Sequence, residues 1–322
     1  MKHEDCIKVS VNIPIYNASK YLRKCLDSMR SQTLKEIEFV LIDDGSTDNS
    51  LQICKEYAKN DLRFKVFHKE NGGSASARQL ALDNSLGEYI IVCDADDWAE
   101  PDMYERLYEI AKCSQVDIST CDYYVNYEDG TQIESTHRIT NCSNEQLMRD
   151  VLTHAIPPAS WIKLIRRKFL EENQINYEKG INLGEDFLFL VKVVLCKPNI
   201  IKINLPLYHY RRIMNSGSYT NNPKYSSFLQ MEYVYKWINR NVDNEMFGRE
   251  IFNLANDVGF LGLRIPDMDV LHHKDFLRTC LPISSYLKYC RFNLKYIIIF
   301  FSKFNRSICV RIYDLLKRYF YK

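Results

Sequence analysis

No run of apolar residues in this 322-residue chain is long enough to cross a bilayer. The longest uncharged one, residues 296–301, falls far short of the ~20 that a spanning helix needs, which excludes an integral membrane protein. Eleven cysteines are present, but none stand in a C-x-x-C pair or another zinc-ligand spacing, so no structural zinc is expected. Several, such as Cys93, lie inside apolar runs and read as small buried hydrophobes. A reduced, cytoplasmic setting follows. Residues 1–5 contain no apolar stretch, so no secretory signal is expected there. Internal repeats and low-complexity segments are also missing.

What is present is a globular composition, 46% apolar and 26% charged. The length suits one large α/β domain with appended elements, or two domains. The net charge of +2 is unevenly spread. Residues 286–322 carry nine Lys/Arg against Asp314 alone, a net of +8, while the remainder has 34 basic and 40 acidic residues, a net of −6. A mildly acidic body with a basic tail points to docking by the tail and not to nucleic-acid binding.

The first 115 residues alternate between strand and helix patterns. A β-branched strand is expected over 7–15, then Ser19 as an N-cap for a helix with Leu22, Leu26 and Met29 at helical spacing. A strand over 37–42 runs into Asp43, Asp44, Gly45, Ser46, Thr47 and Asp48, and the next helix reaches about Ala58. A third strand, 64–67, leads to Asn71, Gly72 and Gly73 and a helix carrying Ala75, Ala77, Leu80 and Leu82. The fourth strand, 89–93, leads to Asp94, Ala95, Asp96 and Asp97, and Pro101 opens another helix. Repeated βα units predict a Rossmann-like, mainly parallel sheet with helices on both faces. Ligands then bind at the carboxyl ends of the strands, where Asp43/Asp44, Asn71 to Gly73 and Asp94/Asp96 all fall. Beyond these lie a strand-like stretch at 116–127, a rigid Pro157-Pro158 connector to Trp161, and an amphipathic segment over 162–170. A helix opened by Glu185 and Asp186 and a strand over 200–210 follow, with helical, aromatic sequence past Pro223.

Crowded carboxylates at the end of a buried strand repel one another and resist desolvation. Mg²⁺ or Mn²⁺ with a phosphate-bearing ligand would account for Asp94, Asp96 and Asp97, because hard cations take oxygen ligands. An acidic strand-to-loop turn is the other reading.

Five segments occur in order: 9–17, 43–48, 71–73 with Ala77 and Arg78, 94–97, and Glu185-Asp186. Together, over roughly residues 7–215, they resemble the inverting family 2 glycosyltransferases of GT-A fold, the kind that builds bacterial surface polysaccharides. The resemblance implies a catalytic, nucleotide-sugar-binding domain over 1–220 and a helical C-terminal extension over 221–322. It places Pro14, Tyr16 and Asn17 at the nucleotide, with Tyr16 stacked on the base. Asp44 would accept a hydrogen bond from the base imide, which favours a UDP-sugar over a CMP-sugar; alternatively Asp43 or Asp44 caps the helix after Thr47. Asn71 and Gly73 would allow close backbone approach. Arg78 would line the nucleotide pocket, or else sit on the surface beside Asp83 or Glu88. Asp96 would bind Mg²⁺ or Mn²⁺ directly, with Asp94 and Ala95 toward the ribose or the metal and Asp97 in support. Asp186 would be the general base and Glu185 a contact to donor sugar or acceptor; helix-dipole stabilisation of both acids is the plainer account. Residues 208–212 with Ser216 and Ser218 resemble a closing segment in which Arg211 meets phosphate; His209 would join the metal, or be structural, as an isolated histidine after a strand more often is. Trp161 and Lys163 fall in the acceptor region.

The tail over 286–322 interleaves cations with aromatics, as an interfacial segment on an anionic membrane does; a helical hairpin packed on the catalytic domain is the alternative. The expected partners are a UDP-sugar and a glycan or lipid-linked saccharide acceptor, in the cytoplasm or at the inner face of the cell membrane. A non-catalytic nucleotide-sugar-binding subunit of a polysaccharide assembly complex is the competing reading, against which Asp94, Asp96 and Asp186 argue. A nucleotidyltransferase would show a basic glycine-rich loop where Tyr16, Asn17, Ala18 and Ser19 stand.

Overall fold

A computed structural model describes residues 7–137, 139, 143–212, 223–289, 294–304, 309, 310 and 312. The chain separates into two compact units, Met1–Met214 and Asn215–Lys322.

In the first unit the elements run β1 (Val9–Ile15), α1 (Ser19–Arg30), β2 (Ile37–Asp44), α2 (Ser50–Asn60), β3 (Phe64–Lys69), α3 (Ser74–Asp83), β4 (Tyr89–Val92), β5 (Trp98–Ala99), α4 (Met103–Ser114), β6 (Ile118–Tyr127), β7 (Gln132–Ser135), α5 (Asn144–Leu152), β8 (Lys163–Arg166), α6 (Arg167–Glu172), α7 (Glu185–Leu195) and β9 (Ile200–Arg212). The sheet order is β3-β2-β1-β4-β8-β6-β9-β5, with β7 beside β6. Side chains alternate along the central strands. Val9, Val11, Ile13 and Ile15 join Phe39, Leu41 and the buried faces of α1, α2 and α4 in one core. Val40 and Ile42 point the other way, onto Ala77 and Ala81 of α3. Both faces are covered, which is why these strands read as continuous apolar runs, and each fully buried aliphatic contributes about 1.5–3 kcal/mol.

The expected parallel sheet holds across β3-β2-β1-β4 and again between β6 and β9. Between these blocks lies β8, antiparallel to both β4 and β6, so the full sheet is mixed. The expected amphipathic segment over 162–170 is in fact a short turn, β8 and α6. Leu164 and Ile165 are buried on successive faces of β8, a double-sided burial that helical periodicity does not describe. Strand β5, unforeseen, pairs Trp98 and Ala99 with His209 and Tyr208 of β9. Ser19 is not a side-chain cap: α1 is preceded by Ala18, and the Ser19 N–H donates instead to Asp48 at 3.0 Å.

The second unit contains α8 (Tyr225–Asn241), α9 (Asn244–Arg264), α10 (Val270–Cys280), α11 (Ile283–Tyr289) and α12 (Leu294–Ser302). Asp243 and Asp269 cap α9 and α10 by accepting two backbone N–H bonds each. Gly259 and Gly262 let α9 approach Leu277 and His273 of α10 closely. The described part of the basic tail packs within this unit: Tyr286 and Tyr296 sit edge-on to Phe252 of α9, and Ile299 is fully buried. Ile283, Leu287, Phe301 and Phe304 remain exposed. No helix among the described residues is long and apolar enough to cross a membrane. Ser216, Ser218 and much of 286–322 lie outside the described residues.

Candidate active site

Three loops at the strand ends brace one another. After β1, Asn17 adopts φ +50°; its Oδ1 accepts the Thr47 N–H at 2.8 Å and its own N–H donates to Ser46 Oγ at 3.1 Å. Beside it Tyr16 stands 54% exposed at the rim, its ring open to solvent. After β2, the buried Asp43 Oδ2 pairs with His68 Nδ1 at 2.7 Å, while its Oδ1 has no hydrogen-bond partner among the described residues. Asp44 Oδ1 accepts from Lys69 Nζ at 2.5 Å and the Gly72 N–H at 2.9 Å, and Oδ2 accepts the Gly73 N–H at 2.8 Å. A carboxylate has about four acceptor positions, so one remains open on Oδ2. Neither acid caps α2. Asp48, just before the N-cap Asn49, accepts the first N–H of α2 from Ser50 and the first of α1 from Ser19; burial opposes its charge, but the hydrogen bonds from both serines prevail and hold it at about 2.

Gly73 has φ +83°, and a Cβ there would lie 2.2 Å from the Asn182 amide. Asn182 in turn accepts the Ala75 N–H at 3.2 Å. Only glycine therefore permits the segment before α7 to close against the start of α3.

The acid cluster follows β4. Asp97, 1% exposed, accepts from the Tyr208 hydroxyl at 2.8 Å and the Arg211 N–H at 2.7 Å. It is a fastening between the cluster and β9. Burial, with Asp96 and Asp94 adding to it, pushes its carboxyl well up. Asp96 is pushed up to about 6 by burial and then by the Asp94 charge. Arg211 Nε donates to the Asp96 carbonyl at 2.9 Å, and its guanidinium lies over Tyr21 and Trp98, so this arginine stands beside the acid cluster.

His209 does not fill the metal role expected of it. Its Nε2 pairs with Glu100 at 2.7 Å, its Nδ1 lies 3.4 Å from the Asn126 amide, and its ring is stacked between Trp98 and Tyr124. Both nitrogens face protein partners, so the imidazole is part of the packing between β5, β6 and β9.

Arg78 joins the two ends of the site. It is buried, and its guanidinium meets Asp94 at 3.1 Å, Glu185 at 2.9 Å and Asp186 at 2.7 Å. Burial works against its charge, but Asp186, Asp94 and Glu185 outweigh it and raise its pKa. The surface alternative fails, because Asp83 pairs with Gln79 and Glu88 with Lys112 and Tyr108. Glu185 also accepts from Ser74 at 2.7 Å. Asp186 is raised to about 7: burial pushes it up, Arg78 opposes, and Glu185 and Asp94 push further. Its position in the first turn of α7, after Gly184 at φ +80°, also places it at the positive end of a helix dipole.

Ser160 went unread in the sequence, although it donates to Asp186 at 3.1 Å; its only signal was its place between the proline connector and Trp161. Trp161 stacks on Tyr208 and on Tyr210, with centroids at 4.5 and 5.5 Å. Lys163 is buried, and burial pulls its pKa down to about 7.

The chemistry of the donor set suits a hard divalent cation. No group of three or more His, Cys, Asp or Glu residues forms a closed cage among the described residues, but Mg²⁺ commonly takes one or two carboxylates and completes its shell with phosphate oxygens and water. A carboxylate raised to about 6 by burial and a like charge is one that a cation would stabilise. Asp96 and Asp94 would hold it.

Comparison with known proteins shows the family and the fold. The description of glycosyl transferase family 2 matches residues 10–174, leaving Glu185 and Asp186 just beyond the match. The Bacillus subtilis protein EpsH is 34% identical over 213 residues, 65% of this chain and 62% of its own. The glycosyltransferase GlyA of Streptococcus pneumoniae is 35% identical over 247 residues, 73% of this chain but 33% of its own. The chain thus spans less than two thirds of either relative. Among solved structures, TarS 1-349 of S. aureus in complex with UDP-GlcNAc aligns with a TM-score of 0.71 at 20% identity, covering 94% of this chain and 89% of that one, which establishes the GT-A fold. With half of its residues matched by the family and acids at the expected strand ends, the chain belongs to glycosyl transferase family 2.

Proposed function

We propose that this protein transfers a sugar, with inversion, from a UDP-sugar to a hydroxyl of a glycan or lipid-linked acceptor during assembly of a bacterial surface polysaccharide. Residues 1–220 would carry the chemistry and 221–322 form a helical extension. The observation that carries this reading is the single guanidinium of Arg78 shared by Asp94, Glu185 and Asp186: it holds the metal-type acid Asp94 on Nη2 and the base-type acid Asp186 on Nη1 of one cation. The UDP-GlcNAc held by TarS supports a uridine donor.

Tyr16 offers its exposed ring to the base, and Asp44 offers its one open acceptor position to the imide N–H. Mg²⁺ or Mn²⁺ at Asp96 and Asp94 supplies charge stabilisation for the departing diphosphate. Arg211, fixed over Trp98, adds a cation at the same end. Asp186 takes the proton of the acceptor hydroxyl as that oxygen attacks the anomeric carbon opposite the diphosphate, and one displacement through an oxocarbenium-like state inverts the configuration. A base titrating at about 7 is ionised in useful amount at neutral pH and still basic enough to accept the proton. Glu185 holds Arg78 and Ser74 in place around it.

The test is a screen of UDP-sugars for UDP release with Mn²⁺ and with chelator, alongside Asp186→Asn. Release that needs both metal and Asp186 is expected; release indifferent to both would overturn the mechanism.

A further inference from the structure

We propose that Ser160 aims the Asp186 carboxylate, that the buried amino group of Lys163 holds Ser160 in place, and that Asp186 Oδ2 is therefore the oxygen that receives the acceptor's proton. This inference rests on the reading of Asp186 as the base and adds the residues that orient it.

Two donors converge on one oxygen: Ser160 Oγ reaches Asp186 Oδ1 at 3.1 Å and Arg78 Nη1 reaches the same atom at 2.7 Å. A carboxylate gripped at Oδ1 from two directions has its plane fixed, and its other oxygen is the one directed to substrate. Ser160 begins a three-residue turn, Ser160–Ile162, between the proline connector and β8. Lys163, 2% exposed, closes that turn: its amino group donates to the Pro157 carbonyl at 2.7 Å and to the Ala159 carbonyl at 2.8 Å. No ion pair of Lys163 occurs among the described residues, so this buried amino group is committed to backbone carbonyls on either side of Pro158. A polar amino group is costly to bury, and an apolar side chain would fill the space at less cost. The feature it secures is the shape of the connector, hence the position of Ser160. Lys163 and Ser160 also line one small cavity of about 20 Å³ with Asn12 and Tyr177. The charged and titratable groups facing Asp186 come from four elements and their ends: Arg78 on α3, Asp94 after β4, Glu185 on α7 and Lys163 on β8, with Tyr177 beside Ser160.

The test is UDP release across about pH 5.5–9 by Ser160→Ala, Ser160→Thr, Lys163→Gln and Asp186→Asn, each verified as folded by UDP binding in calorimetry. Ser160→Ala is expected to lower kcat about tenfold with donor KM within about twofold, a fraction of what a general base supplies. It should also move the acid limb of the pH profile upward by about half a unit, because a hydrogen bond to the charged form is lost. Ser160→Thr, which keeps the hydroxyl, should restore both, and Lys163→Gln should fall between. An unmoved acid limb, or equal behaviour of the Ala and Thr variants, with Asp186→Asn inactive, overturns the positioning role alone. An active Asp186→Asn overturns the assignment of the base on which it rests.

Discussion

Replacing Arg78 with methionine removes the one cation that three carboxylates share. Methionine fills most of the volume, so the loss is electrostatic more than a cavity. Breaking a buried pair by deleting one partner costs about 3–5 kcal/mol. Asp94, Glu185 and Asp186 retain 28%, 12% and 23% exposure, so partial hydration puts the expected cost near the low end, about 3 kcal/mol. For a unit of this size that corresponds to a fall in Tm of roughly 10 °C. The sign of the pH dependence follows from Asp186. Its pKa in the folded chain, about 7, already exceeds that of a free carboxyl, so the folded state binds the proton more tightly and this group's contribution to stability declines as pH rises from about 4 to 7. Without Arg78, the main force opposing burial, the pKa rises further and the decline extends above 7. The variant should therefore lose less Tm at pH 6 than at pH 8 in paired thermal melts, and its transferase rate should drop at least about a hundredfold. An equal Tm loss at both pH values, or a variant with near-native turnover, would refute the account of Arg78 as the shared counter-charge.

Gly73→Ala should destabilise by about 2–4 kcal/mol and weaken UDP binding, since φ +83° and a Cβ 2.2 Å from Asn182 both resist it; thermal melts and calorimetry check this, and a neutral result would mean that Asn182 moves freely. Asp96→Asn removes a carboxylate pushed up by burial and by Asp94, so the folded chain should gain stability at pH 8 and lose Mn²⁺-dependent UDP release; retention of that release would remove Asp96 from the metal site. Replacing Lys288, Arg291, Lys295, Lys317, Arg318 and Lys322 of the tail with glutamine should strongly weaken co-sedimentation with anionic liposomes at low salt; equal sedimentation by both chains would end the membrane reading.

The strand ends were legible because they break the local pattern: Asp44, Asp96 and Asp186 each follow an apolar run or open one. Arg78 was legible as a motif residue but not as a junction. Its partners Asp94 and Glu185 lie 16 and 107 positions away, with Asp186 one residue beyond Glu185, and only the closing of α7 onto α3 brings them together. Ser160 meets Asp186 across 26 residues for the same reason. For His209 the contacts match the structural alternative, and its partners were hidden because β5 is too short to show a period: Trp98 of β5 and Glu100 just after it pack on the ring. The position of β8 was hidden because a strand of four residues buried on both faces resembles any short apolar run.

The antiparallel β8 between two parallel blocks has a consequence for how such a chain can change its chemistry. The residues proposed to meet the nucleotide base, Tyr16 and Asp44, stand just after β1 and at the end of β2, on one side of β4. Ser160, which holds Asp186, lies in the turn between the connector and β8, and Trp161 of the same turn stacks on Tyr210 of β9, on the other. Strand β4 is thus a seam, with Arg78 and the acids stitched across it. Hybrids joined just after α4 should exchange acceptors while keeping the donor nucleotide, provided that the serine, the lysine and the first-turn acids of α7 travel together as one piece.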